Sequence, residues 1–257
     1  MARQVTIAVI GKGRLGTSLA WAIRSLAPTY SLFAHLPARS TSFSALTKND
    51  GPDVLFIVCK DKFIARVAKR ALAACGKNTS LVVHCAGSLP SSILPLRRNT
   101  ARLMLHPVQT ITNTNPQAFE GIAFAAESQS AAAIKFARAF SKRLGGHQFF
   151  KLSAANLARY HAAVVISSNF ITLLGSSVEE LADTLGIARR TFKLALAPLM
   201  QRSLKNVLTH NSKDVLTGPL ARRDKETIKR HKAALSKTHS KGIYEAFVKF
   251  AESNIKK

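Results

Sequence analysis

Gln4–Ile10 (QVTIAVI), Gly11–Gly16 (GKGRLG) and Thr17–Leu26 (TSLAWAIRSL) decide how this chain is read. The first segment is apolar and β-branched without polar alternation, as expected of a strand buried on both faces, and the third repeats its apolar residues at helical spacing. Between them, GxGxxG makes three separate demands: Gly11 for a tight turn, Gly13 for close approach of backbone to a ligand, and Gly16 for close packing of helix on strand. A helix that begins here turns its free N–H groups and the positive end of its dipole outward. A pyrophosphate satisfies them, so Gly11, Gly13, Arg14, Leu15 and Gly16 are expected to bind a dinucleotide.

The same unit then repeats. Tyr30–Ala34 reads as a second strand followed by a turn-rich stretch, Asp53–Cys59 (DVLFIVC) as a third, Lys62–Ala74 as a helix and Leu81–Cys85 (LVVHC) as the next strand. Arg102–Leu105, Gly121–Ala126 and His147–Lys151 read as further strands, with a helix over Ser130–Leu144. Strands alternating with helices imply a mainly parallel sheet covered on both faces. From Ser153 onward only helices are expected: Ala154–Leu185, Ala188–Thr209 with a break near Pro198, Lys225–Ser236 and Gly242–Asn254. The fold class is thus α/β, an N-terminal Rossmann dinucleotide-binding domain over residues 1–152 and an all-helical domain over 153–257.

An NAD site normally places an Asp or Glu about 20 residues after the glycine turn, on the ribose hydroxyls. No acidic residue lies between Gly11 and Asn49; His35, Arg39, Ser40 and Thr41 follow the second strand instead. An arginine fork and hydroxyls suit a 2′-phosphate, which favours NADP(H) over NAD. Ligands in such sheets collect at the carboxyl ends of strands. Lys60 and Asp61 fall where the nicotinamide ribose should lie, although Asp61 serves equally as a helix cap. Ala86, Gly87 and Ser88 fall near the nicotinamide. His106 and Gln109 (HPVQT) follow the next strand; His106 faces either the cleft or a domain interface, and Gln109 is expected to bind the substrate. In LTGPLARRD, Asp224 is the expected N-cap of a helix. Arg222, with Arg223 competing, offers a fork to an acidic substrate.

With 257 residues, 47% of them hydrophobic, the chain can build a sizeable core. A formal charge of +25 would attract anionic substrates and cofactors, but its Lys and Arg are spread along the chain without interleaved aromatics, so nucleic acid is not the expected partner. Cys59, Cys75 and Cys85 form no CxxC pair and read as reduced, buried thiols, which fits the cytoplasm. The N-terminal apolar run shows no cleavage pattern and is read as mature. Ala154–Leu174, interrupted by Asn156, Arg159, His161 and Ser167–Asn169, is expected to be a buried helix and not a membrane span. No HExxH, zinc-spaced Cys/His cluster, P-loop or GxSxG elbow occurs, so no metal is expected.

GKGRLG, CKDKFI (Cys59–Ile64), VVHCAGS (Val82–Ser88), LHPVQT (Leu105–Thr110), YHAAVVISSN (Tyr160–Asn169) and LTGPLARRD (Leu216–Asp224) together resemble a group of Rossmann-like oxidoreductases. These carry a C-terminal helical domain of unknown function and are related to pyrroline-5-carboxylate and ketopantoate reductases. The resemblance implies a C-terminal domain like that of 6-phosphogluconate dehydrogenase, a homodimer, and hydride transfer from NADPH to a small 2-oxo acid, with ketopantoate as the most concrete substrate. In ordinary ketopantoate reductases a catalytic Lys precedes an Asn by eight residues on a helix. Counting back eight from Asn169 gives His161, a departure from Lys that still supplies a proton donor. Eight helical residues advance about 80° beyond two turns, so both side chains can border one cleft. His161, Asn169 and His106 are therefore the expected catalytic residues. The alternatives are reduction of a cyclic imine of the pyrroline-5-carboxylate type, or a non-enzymatic basic module that binds nucleotide or nucleic acid.

Overall fold

The computed structural model describes residues 3–254. β1 (Val5–Ile10) runs through the glycine turn into α1 (Arg14–Arg24), followed by β2 (Tyr30–Leu36), β3 (Val54–Ile57), α2 (Ile64–Ala74) and β4 (Leu81–His84). Then come β5 (Ala101–Val108), β6 (Ala123–Glu127), α3 (Ala131–Arg143) and β7 (Gln148–Lys151). The seven strands form one sheet in the order β2-β1-β3-β4-β5-β6-β7. All neighbours are parallel except β5 and β6, which are antiparallel.

Because successive strand residues point to opposite faces, each central strand feeds two apolar layers. Ile7, Val9, Phe56 and Val83 pack with α1 and α3 on one face; Ala8, Ile10, Leu55 and Val82 pack with α2 on the other. Burying a side chain such as Phe140 or Ile10, both fully enclosed, contributes roughly 1.5–3 kcal/mol.

β5 runs past the expected end at Leu105 and includes Pro107, which pairs with Phe124 of β6. Pairing with β4 stops at Met104, so at residue 107 no strand partner on that side requires an N–H. His106 therefore sits within the strand and not after it.

The chain divides into two compact units, one through Val165 and one from Ile166. The last strand ends at Lys151, and the division falls further on, inside α4 (Leu157–Thr184). α5 (Arg189–Thr209), α6 (Gly218–Arg222), α7 (Lys225–Ala234) and α8 (Ser240–Asn254) follow. Three expectations need correction here. α5 is continuous through Pro198: the proline costs one intrahelical hydrogen bond, and the turns on either side are long enough to carry the helix across it. The short helix α6 is additional. The stretch expected to be a buried helix is largely exposed, with Leu157 and Ala182 the buried apolar residues of α4. By length and composition alone, α4 with the turn before it (Ala154–Thr184) is long and apolar enough to cross a membrane.

Side chains fix two helix starts in this region. Asp224 Oδ1 accepts the Thr227 N–H at 3.0 Å and caps α7, as expected. Glu180 of α4 caps α8: its carboxylate accepts the His239 and Ser240 N–H groups at 2.8 and 2.9 Å and also the Ser240 hydroxyl.

Candidate functional site

The glycine turn is built by backbone meeting backbone. A Cβ on Gly11, where φ is +141°, would stand 1.8 Å from the Val58 carbonyl oxygen, and one on Gly16 would stand 2.1 Å from the Gly11 oxygen. Gly13 differs: a Cβ there meets nothing within 4 Å. It is the N-cap of α1 without a side-chain cap, so the first N–H groups of the helix are not claimed by a capping side chain, and the space beside them is open. Arg14 is exposed at this end and Leu15 half-buried. These features fit a pyrophosphate held on backbone N–H groups.

His35, expected near a ribose phosphate, commits Nε2 to the Gly11 carbonyl at 2.9 Å, while the Gly11 N–H donates to Leu36. It braces the glycine turn against β2. The turn after β2 contains Arg39, exposed, and Ser40, whose hydroxyl donates to the Ser42 carbonyl at 2.6 Å. Arg70 of α2 donates to the Ser40 and Thr41 carbonyls at 2.9 and 3.1 Å and lies over the Phe43 ring. No local signal marks Arg70, because it acts across about 30 residues of chain. The turn is thus ordered, basic and free of carboxylates.

Lys60 and Asp61 are exposed beside β3, and no side chain caps the short turn Asp61–Phe63 or α2 after it, which removes the capping role considered for Asp61. After β4, buried His84 accepts the Ala86 N–H at Nδ1 and donates from Nε2 to the Pro90 carbonyl. Burial lowers its pKa to about 4, against the opposing pull of Pro90, so this ring is neutral. Glu127 accepts the Ser91 N–H at 2.6 Å. The loop carrying Ala86, Gly87 and half-buried Ser88 is therefore braced at both ends.

Gly87 is where the expected residues converge. A Cβ on it would lie 3.0 Å from both His106, on β5, and His161, in the first turns of α4. The His106 and His161 ring centroids are 6.0 Å apart. Tyr160 joins them: its hydroxyl is 2.7 Å from His106 Nδ1, with the two rings edge to face. Burial, and secondarily the charge of His161, lowers the His106 pKa to about 4; burial pushes Tyr160 up to about 12. Tyr160 was not among the expected site residues. It precedes His161 by one position, about 100° around the helix, and only the fold brings it to His106.

Gln109 is exposed and its Oε1 accepts the Thr110 N–H at 2.9 Å. Asn169, exposed on α4, accepts the Ser168 hydroxyl, and Arg222 is exposed at the end of α6; both belong to the second unit. The three cysteines are free. Burial raises Cys59 to about 11, with help from Asp61, and Cys85 to about 12, and it raises Cys75 too, so none is poised as a thiolate. Among the described residues no group of His, Cys, Asp and Glu could hold a metal ion.

Sheet order, glycine turn and helical continuation define a Rossmann protein with a helical C-terminal unit. The chain belongs to the family described as Domain of unknown function (DUF2520), which matches residues 122–250. No curated protein matches it. Among solved structures, a candidate NADP oxidoreductase of Bacteroides fragilis is 20% identical with a TM-score of 0.76, over 98% of this chain and 99% of that one. An imine reductase of Myxococcus stipitatus in complex with NADP+ is 16% identical with a TM-score of 0.64, over 98% and 94%. A pyrroline carboxylate reductase of Plasmodium falciparum with NADP bound is 14% identical with a TM-score of 0.61, over 97% of each chain. Identities this low establish the shared fold.

Proposed function

We propose that this protein is an NADPH-dependent oxidoreductase that reduces a small 2-oxo acid to the 2-hydroxy acid, with ketopantoate as the first substrate to try. The observation that carries the reading is the meeting of Gly87, His106 and His161 at the carboxyl end of β4, in a sheet whose glycine turn is open at Gly13. Gly11–Gly16 would hold the pyrophosphate, and Arg39, in the turn pinned by Arg70, would receive the 2′-phosphate. When bound, reduced nicotinamide supplies a hydride to the carbonyl carbon. The carbonyl π pair then moves to oxygen, and His161 gives that oxygen a proton. NADP-bound neighbours of the same fold are consistent with this cofactor.

The same neighbours favour a second reading, reduction of a cyclic imine such as pyrroline-5-carboxylate, since hydride addition to C=N needs the same cofactor geometry. The test is loss of reduced-nicotinamide absorbance with ketopantoate and with pyrroline-5-carboxylate. His161→Ala should cut turnover by about 10²–10⁴-fold and leave NADPH affinity unchanged. An equal loss of both, or no loss, removes His161 from catalysis. NADPH binding without turnover of either compound defeats both substrate assignments, and strongly salt-dependent nucleic-acid binding without turnover would favour a non-enzymatic module.

We also infer that the helical unit pairs with a second copy of itself. Ile166, Phe170, Leu173 and Leu174 form an exposed stripe at i, i+4, i+7 and i+8 on α4. Met200, Leu204, Val207 and Leu208 repeat that spacing on α5. Arg190, Lys193, Arg202 and Lys205 are interspersed along α5, a composition costly in lipid and suited, at a protein interface, to its polar rim.

A further inference from the structure

We propose that Tyr160 is a positioning residue that holds His106 in its Nε2–H tautomer, so that His106 donates a second hydrogen bond to the substrate oxygen and favours carbonyl over imine substrates. This rests on the reductase reading above.

The geometry leaves two arrangements for the 2.7 Å contact between the Tyr160 hydroxyl and His106 Nδ1. Either the phenol donates to a bare Nδ1, or a protonated Nδ1 donates to the phenol oxygen. The second would leave the phenolic hydrogen needing another acceptor, and the described contacts give Tyr160 none besides His106. A phenol is also the better donor of the two groups. Burial keeps the Tyr160 proton in place and, with His161 alongside, keeps His106 neutral, so Nδ1 has a lone pair to offer. The proton of the neutral ring then resides on Nε2. That nitrogen has no hydrogen-bond partner among the described residues and is not a sealed, unsatisfied atom. It is a donor awaiting an acceptor. Gly87 packs against the Cγ–Cδ2 edge of the same ring, and its lack of a side chain lets the ring keep that position.

Two donors side by side, His106 Nε2–H and His161, match an oxygen better than a nitrogen. A carbonyl oxygen carries two lone pairs and can accept from both rings as negative charge develops on it. An imine nitrogen has one lone pair. Once it holds a proton it has nothing left for His106, and an N–H pointed at another N–H is repulsive. The charge bookkeeping agrees: His106 donates a hydrogen bond without giving up its proton, and the single proton needed to form the alcohol comes from His161.

The decisive measurement is ¹⁵N NMR of histidine-labelled protein without substrate, with His106 assigned by loss of its signals in His106→Gln. The expected spectrum shows an unprotonated Nδ1 and a protonated Nε2, and in Tyr160→Phe a mixture of tautomers. In turnover, Tyr160→Phe should lower kcat for the carbonyl substrate by about tenfold, the size of one misdirected hydrogen bond, with unchanged NADPH affinity and a lower carbonyl-to-imine preference. In the His106→Gln background, where the amide donor needs no partner to set its protonation, Tyr160→Phe should have no further effect. A protonated Nδ1 in the wild type, or an unaltered tautomer and preference in Tyr160→Phe, overturns the proposal even if the protein is a reductase. Absence of all turnover would defeat the reductase reading and the selectivity with it, while the NMR result would still decide the tautomer.

Discussion

The two units handle the same kind of residue in opposite ways. In the first, β3 and β4 are buried along their whole length and β1 over its last four residues. In the second, Ala182, Val248 and Ser240 are the buried residues described, while Phe170, Leu174, Leu204 and Leu208 are exposed. A parallel sheet with helices on both faces closes its core locally, because each crossover brings its own cover. A set of long helices with apolar stripes has no such guarantee. The contrast teaches that the second unit leaves apolar helix faces uncovered within itself, and these are the faces on which the pairing proposed above would act.

The comparison can be broken most severely at the glycine turn. Gly11→Ala places a Cβ against the Val58 carbonyl at a positive φ and should destabilise the first unit by more than about 3 kcal/mol, seen as a lowered Tm. Gly13→Ala, with open space around it, should leave Tm unchanged and weaken NADPH binding; equal Tm losses in the two variants would refute the distinction. On the helical side, Phe170→Asp with Leu204→Asp should raise the dimer dissociation constant by at least about 100-fold in sedimentation while the sheet unit stays folded. A wild type that sediments as a monomer would end the pairing argument. The smallest effect is expected at Glu180. The Ser240 hydroxyl, foremost, and the His239 N–H hold its pKa at about 2, below the ordinary 4.5, so its contribution to the start of α8 is complete above 4.5 and fades as pH falls toward 2. Glu180→Gln should flatten this: Tm should drop between about pH 5 and about pH 3 in the wild type and less in the variant.

Legibility in the chain followed the distance over which each feature is decided. The glycine turn, β1 and α1 are specified within some twenty neighbouring residues, and all were readable. β5 was read too short because Pro107 ends most strands, and here its pairing with β4 has already ended at Met104 while its pairing with β6 continues. His106 and His161 were readable as members of one site beside the Ala86–Ser88 loop, and the structure brings both to Gly87. Tyr160 was not readable, because its partner lies 54 residues away. His35 was readable as a residue at the end of β2, while its bond to the Gly11 carbonyl, 24 residues away, was not. The exposure of α4 ran against its apolar composition, because composition counts apolar residues and does not say which elements of the fold pack against them.

The contact of Gly11 with Val58, and of Gly16 with Gly11, has a consequence for inheritance. Where a side chain blocks a larger residue, a compensating change elsewhere can make room. Here the obstructing atoms are main-chain oxygens that every amino acid carries, so no exchange at Val58 can relieve an alanine at Gly11. A lineage that loses either glycine has no second-site route back through those neighbours. It must restore the glycine or rebuild the turn.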